Sequence, residues 1–178
     1  MKRYVALLRG INVSGKNKIA MAELKKGFTE LGYLEVSTYL NSGNVAFSSI
    51  EEQENIAGRI EKMIKDKFEW DIPVFVISQE ELRDIVNHAP TWWGTEDKAV
   101  YDNLIFMLPP LSYERLYKEL GTPKAELENV FPYKNSVFWS FDRTHYQKTN
   151  WWSKTASTGI SEGITIRTAN TVKKIMNL

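Results

Sequence analysis

Tyr4-Val5-Ala6-Leu7-Leu8-Arg9-Gly10-Ile11-Asn12-Val13-Ser14-Gly15-Lys16-Asn17-Lys18 is the stretch that decides how the chain is read. Residues 4–9 form a short apolar run bounded by glycine, the pattern of a buried strand. Glycines, small polar residues and the cations Arg9, Lys16 and Lys18 then interrupt it. An amphipathic pattern follows: Met21, Leu24, Phe28 and Leu31 recur at three- and four-residue steps, and Gly32 supplies a C-terminal stop. The stretch is therefore a strand-to-helix loop, and everything downstream can be placed relative to it.

After the helix, residues 35–39 and 45–48 read as strands around Asn41-Ser42-Gly43-Asn44, a quartet suited to a hairpin. Ser49 with Glu52 has the spacing of a capping box, and Ile56, Ile60, Met63, Ile64 and Phe68 make the helix face behind it. Residues 72–77 read as a strand, and Ser78 with Glu81 opens a short helix through Leu82, Ile85 and Val86. The same order then recurs. It runs from a strand at 103–108, stopped by Pro109-Pro110, through a helix carrying Tyr113, Leu116, Tyr117 and Leu120 to a hairpin about Lys134-Asn135. A helix near 151–156, a strand at 164–167 and a last helix with Val172, Ile175 and Met176 inward complete it. The fold class expected is α+β, with two tandem ferredoxin-like (βαββαβ) subdomains built on antiparallel sheets, residues 1–92 and 93–178.

Composition narrows the function classes. A chain of 178 residues can bury one good core or two small ones. Lys+Arg 23 against Asp+Glu 22 leaves a net charge of +1, so any attraction for phosphate has to be local. The absence of cysteine removes disulfides, thiol catalysis and thiolate metal sites, and fits a reducing, cytoplasmic setting. No apolar run reaches the ~18 residues of a membrane helix, so no membrane role is expected.

The motifs are weighed by context. Gly10-x-x-x-x-Gly15-Lys16 has most of a Walker A spacing, but Asn17 stands where Ser or Thr should ligate magnesium. Capture of an anion by backbone N–H groups and lysines of this loop is the functional alternative to a plain connection whose glycines serve geometry. In a ferredoxin-like sheet the end of strand one and the turn between strands two and three share an edge. The candidate ligand-binding set is therefore Arg9, Gly10, Asn12, Gly15, Lys16, Asn17 and Lys18 with Asn41, Ser42 and Asn44. Arg167 is added because helix capping by its neighbours Thr168 and Asn170 does not explain it. The expected ligand is small and anionic, a phosphorylated metabolite or nucleotide. A nucleic-acid-binding module, with the Trp92-Trp93 and Trp151-Trp152 pairs available for stacking, is the rival. Each tryptophan pair is expected to have one buried ring and one at a rim. An enzyme of unidentified reaction is the second rival, with catalytic residues that no paired carboxylates or base–nucleophile spacing identify: Asp142 and His145 have no nucleophile elbow. His88 and His145, without cysteine, make no zinc set.

The same residues carry a family resemblance. Tyr4 to Val13, Gly15-Lys16-Asn17-Lys18, Met21-Ala22-Glu23-Leu24 and Thr38-Tyr39-x-Asn41-Ser42-Gly43-Asn44-Val45-x-Phe47 resemble the uncharacterised bacterial family catalogued as domain of unknown function 1697. The resemblance implies an α+β protein with two similar subdomains and brings no activity with it. Members commonly end in Thr-Thr-Arg-Asn-Trp-Asn-Thr-Val. This chain has Thr165-Ile166-Arg167-Thr168-Ala169-Asn170-Thr171-Val172, which keeps the arginine and the final Asn-Thr-Val and lacks the Asn-Trp pair.

Overall fold

The structure, a computed structural model, describes residues 1–157 and 159–178. It is an α+β protein with two four-stranded antiparallel sheets. The elements run β1 (Lys2–Leu8), α1 (Met21–Glu30), β2 (Leu34–Tyr39), β3 (Asn44–Ser49), α2 (Gln53–Phe68), β4 (Val74–Ser78) and α3 (Gln79–Asn87). They continue with β5 (Val100–Met107), α4 (Tyr113–Leu120), β6 (Glu128–Tyr133), β7 (Ser136–Asp142), α5 (Asn150–Ser157), β8 (Ile164–Thr168) and α6 (Ala169–Ile175). The chain divides into one unit of Met1–Asp84 with Lys174–Leu178 and a second of Ile85–Lys173. Among the described residues no helix is long and apolar enough to cross a membrane.

The first sheet has the order β2-β3-β1-β4 and the second β6-β7-β5-β8. The repeat extends to register. Tyr4 pairs with Phe47 and Ser78, and Asn103 pairs with Trp139 and Thr168. Ser78 and Thr168 each end a strand and accept from an amide three residues on, Glu81 N at 3.1 Å and Thr171 N at 3.4 Å, so each caps the helix that follows. Tyr4 and Asn103 therefore occupy equivalent places in sheets with little sequence in common.

Helix burial follows the apolar periodicity. In the first unit α1 buries Leu24 and Phe28, and α2 buries Ile56, Ile60 and Ile64. They cover Tyr4, Ala6 and Leu8 of β1 and Val45 and Phe47 of β3. Each such aliphatic or aromatic side chain contributes roughly 1.5–3 kcal/mol by leaving water. In the second unit Leu116 and Leu120 of α4 and Trp151 of α5 pack on Ile105, Val137 and Trp139.

One local expectation is corrected. Ser49 and Glu52 form no capping box. Ser49 is still in the β3 ladder, opposite Lys2, and its Oγ accepts from Glu51 N at 3.0 Å, while α2 starts behind Glu52 without a side-chain cap. The strand expected from residue 72 begins at Val74, after Pro73, which has no N–H for a ladder.

Candidate functional site

The loop between β1 and α1 occupies residues 9–20, and its shape is set by unusual backbone. Gly10, Asn12, Ser14, Gly15 and Asn17 all have positive φ, between +46° and +77°, a region that only glycine enters freely and asparagine tolerates. Ser14 and Gly15 turn the tip. Lys16 N donates to Val13 O at 2.9 Å, and Asn12 N to Asn17 O at 3.2 Å. The loop is thus a small closed hairpin rather than a loose connection.

Its asparagines hold it together. Asn12 Oδ1 accepts from Ile19 N at 2.9 Å, and Asn12 Nδ2 donates to Ile19 O at 2.9 Å and to Asn41 O at 2.8 Å. Asn17 Nδ2 donates to Gly10 O at 3.0 Å. Asn44, fully buried, donates to Tyr39 O at 2.8 Å and Ser42 Oγ at 3.0 Å. Leu8 N donates to Gly43 O at 2.8 Å, joining the β2–β3 turn to the end of β1. Gly43 has φ +83°, and a Cβ there would stand 2.7 Å from Leu8 Cβ and 3.0 Å from Ile11 Cδ1, so glycine is required. The structure thus brings residues 9–18 and 41–44 to one edge. The side-chain amides of Asn12, Asn17 and Asn44 serve the scaffold, as do the backbone N–H groups of Asn12, Lys16 and Ile19, while Lys16 and Lys18 are exposed.

Beside this hairpin lies a shallow recess of about 470 Å³, lined by Asn12, Gly15, Lys18, Ile19, Ala20, Met21 and Asn41. One wall is the start of α1, whose N-cap, Ala20, offers no side-chain acceptor to the first-turn amides. Arg9, Lys16 and Lys18 make no ion pair among the described residues, and residues 9–22 contain no carboxylate. Elsewhere in the unit Lys2, Arg3, Lys26, Arg59, Lys62, Lys65 and Lys67 pair with acids, while Lys25, Arg83 and Lys174, scattered over three helical segments, make no ion pair among the described residues. The electrostatic character of the edge is therefore local and positive.

Arg167 belongs to the second unit, on β8, and is 9% exposed. Its Nη1 donates to Thr165 Oγ1 at 3.0 Å and Ile166 O at 2.9 Å, and burial lowers its pKa to about 10, which leaves it charged at neutral pH. The Walker A spacing does not become a P-loop. The α1 helix starts at Met21, well past Lys16, and Asn17 bonds to the loop itself. Among the described residues no group of three or more His, Asp and Glu could hold a metal. Asp142 accepts from His145 N at 2.7 Å and meets His145 Nδ1 at 3.0 Å, which holds its carboxyl below the usual range and makes the pair a turn, not a relay. Trp93 and Trp151 are buried, Trp92 is half-buried and Trp152 is 37% exposed.

Sequence reasoning missed the uncapped start of α1 as part of this edge. The signal was available in Lys18-Ile19-Ala20-Met21, which has no Ser, Thr, Asp or Asn where a helix start usually has one.

These features define an α+β protein of two four-stranded sheets with a basic, closed loop at one sheet edge. The chain belongs to the family described as "Protein of unknown function (DUF1697)", whose model matches residues 1–138. It is similar to the conserved bacterial protein SP0830 from Streptococcus pneumoniae, with 31% identity, a TM-score of 0.86, and coverage of 98% of this chain and 97% of that one. No curated protein matches it.

Proposed function

We propose that the protein binds a small anionic ligand, of the class of phosphorylated metabolites, at the edge formed by residues 9–20 and 41–44. The observation that carries this reading is an internal comparison. The second unit has the same strand order and joins β5 to α4 with residues 108–112 alone. The first unit uses residues 9–20 for the equivalent join, with five positive-φ positions and three unpaired cations. The fold does not need that length or that charge, and placing like charges together is unfavourable without a counter-charge.

The roles divide by chemistry. Lys18 and Met21, at the start of α1, line the recess and take the anion, since helix N-termini favour negative charge. Arg9 and Lys16 add charge at the rim, Gly10 and Gly15 allow close backbone approach, and Asn12, Asn17, Asn41, Ser42 and Asn44 hold the two loops in place. We read each unit as ferredoxin-like, supported by the strand order, with subdomains near 1–92 and 93–178 and a cytoplasmic location.

Calorimetry with inorganic phosphate, phosphorylated sugars, nucleotides and short oligonucleotides tests the reading. Lys16→Ala with Lys18→Ala should lower anion affinity by at least about tenfold, because charge-assisted hydrogen bonds are worth roughly 1.5–3 kcal/mol. Stability should change by less than ~0.5 kcal/mol, since both side chains are exposed. Equal binding by wild type and variant would overturn the proposal. Preference for oligonucleotides with a steep salt dependence would favour a nucleic-acid-binding module instead.

A further inference from the structure

We infer that the second unit carries a separate binding site, for a planar aromatic molecule bearing one anionic group. The site is a recess of about 420 Å³ on the helix-facing side of the second sheet. Six residues give it its chemistry: Tyr101 and Asn103 of β5, Trp139 and Phe141 of β7, Arg143 just beyond β7, and Trp152 of α5.

The recess exists because the covering helix is short. In the first unit α2 has 16 residues and spans about 24 Å, whereas α5 has 8 and spans about 12 Å. The equivalent position in the first sheet is filled by Tyr4, fully buried, stacked on Phe47 with centroids 5.9 Å apart. In the second sheet Asn103 stands there beside Trp139, so both the ring and the helix that would fill the space are lacking.

The walls suit a flat ring. Phe141 and Trp139 are buried with centroids 4.7 Å apart and form the floor. Tyr101 lies parallel to Phe141, 8° apart at 5.6 Å, yet remains 38% exposed, and Trp152 is 37% exposed on the opposing helix. The Arg143 guanidinium lies over the Tyr101 ring, and Trp152 meets Tyr146 at 72° with centroids 4.6 Å apart, so a planar π-system would lie over the Trp139–Phe141 floor with these partly exposed rings as side walls. Asn103 is 5% exposed, and its Nδ2 donates to Tyr101 O at 3.3 Å. Its Oδ1 makes no hydrogen bond among the described residues, which supplies an acceptor for a ring N–H.

Charge selects the substituent. The only charged side chain lining the recess is Arg143, whose guanidinium carbon lies 4.6 Å from the centre of the Tyr101 ring and which has no ion-pair partner among the described residues. Of the neighbouring carboxylates, Asp142 bonds His145 and Glu128 bonds the amides at the start of α5, while Glu96, Asp97 and Asp102 line a second recess that Arg143 also borders, where Asp102 Oδ2 accepts from Gly94 N and Thr95 N and Asp97 Oδ1 from Ala99 N. A volume of this size holds one small molecule, with its ring between Tyr101 and Trp152 and its phosphate or carboxylate on Arg143.

Calorimetry and tryptophan fluorescence would test this with adenosine 5′-monophosphate, uncharged adenosine, indole-3-acetate and inorganic phosphate on the full chain. The expected result is binding of at least one planar anion, with inorganic phosphate alone giving no tryptophan change. The monophosphate and the carboxylate arms then tell which anionic group is preferred. Arg143→Gln should weaken the planar anion by about tenfold and leave the uncharged nucleoside unaffected. Trp152→Ala should weaken both, with an unchanged melting temperature showing that the variant folds. Lys16→Ala with Lys18→Ala should leave this binding intact, which separates it from the loop edge. Failure of every planar ligand to bind at millimolar concentration would overturn the inference. So would binding insensitive to both Arg143→Gln and Trp152→Ala.

Discussion

Replacing Glu128 by alanine should be among the most damaging single changes in the second unit. Glu128 opens β6 and is 2% exposed. Its Oε1 accepts from Trp151 N at 3.2 Å and Trp139 Nε1 at 3.4 Å, and its Oε2 accepts from Asn150 N and from Lys124 N at 3.2 Å. One carboxylate thus caps α5 from another strand and braces the tryptophan floor of the recess. Glu128→Ala leaves Trp151 N–H and Trp139 Nε1–H buried without acceptors, at about 1–3 kcal/mol each. Water can reach the amides of the half-buried Asn150 and exposed Lys124, so these add little. Loss of a negative charge at the helix start adds about 0.3–1 kcal/mol. The sum is about 2–7 kcal/mol. Glu128→Gln keeps an acceptor for the two buried donors and should cost about half as much. Urea denaturation followed by circular dichroism measures both. A loss below ~1 kcal/mol for alanine, or equal losses for alanine and glutamine, would refute the capping account. Because Trp152 rides on α5, the alanine variant should also weaken planar ligands.

Three further expectations concern the first unit. Gly43→Ala adds the cost of a left-handed alanine, roughly 1–2 kcal/mol, to that of displacing Leu8 and Ile11, roughly 1–3 kcal/mol; it should lower stability by about 2–5 kcal/mol and spoil the loop edge, as thermal melts and phosphate titration would report. Burial pushes the Tyr33 hydroxyl up to about 12, so its contribution is intact below pH 10 and is lost as pH rises from there through about 12. Since that hydroxyl makes no hydrogen bond among the described residues, Tyr33→Phe should be neutral or stabilise by about 1 kcal/mol at pH 7 and flatten the alkaline loss, which a pH series of melts would detect. Phe28→Ala should cost roughly 3–5 kcal/mol and Ile60→Ala roughly 2–5, both side chains being fully buried; chemical denaturation giving under ~1 kcal/mol for either would remove it from the core.

The fold was legible where signals are local. Apolar runs gave the strands, three- and four-residue spacings gave the helices, and Ser78 with Glu81 and Lys134-Asn135 marked a cap and a turn that the structure contains. The false capping box at Ser49 shows the limit: α2 starts four positions on, behind Glu52, too far for Ser49 to cap its first turn, and where the β3 ladder ends is not local information. That residues 9–18 and 41–44 share one sheet edge was legible, but what their side chains do there was not. Asn12 looked like a ligand donor because its partner, Asn41 O, lies 29 positions away and becomes a neighbour only once the sheet forms. Glu128 gave no signal at all, since the amides it serves come 22 and 23 positions later. The Tyr101–Arg143 contact likewise depends on β5 pairing with β7.

The repeat itself supplies the control that a single sequence lacks. Two units with one strand order solve the same packing problem, so a feature present in one and missing from the other is not required by the topology. The first unit closes its helix-facing sheet with Tyr4 under a long α2, yet extends its β1–α1 join into a strained, basic hairpin. The second makes that join with five uncharged residues, Leu108 to Ser112, yet leaves Tyr101 and Trp152 exposed around a recess. Each departure forgoes stability that the other unit shows to be attainable: positive-φ strain and unpaired cations in one, unburied aromatic area worth about 25 cal/mol per Å² in the other. Selection for folding alone would erase both. Their occurrence at different places in otherwise equivalent units supports the two proposed sites, one built on backbone and lysine, the other on aromatic rings and one guanidinium.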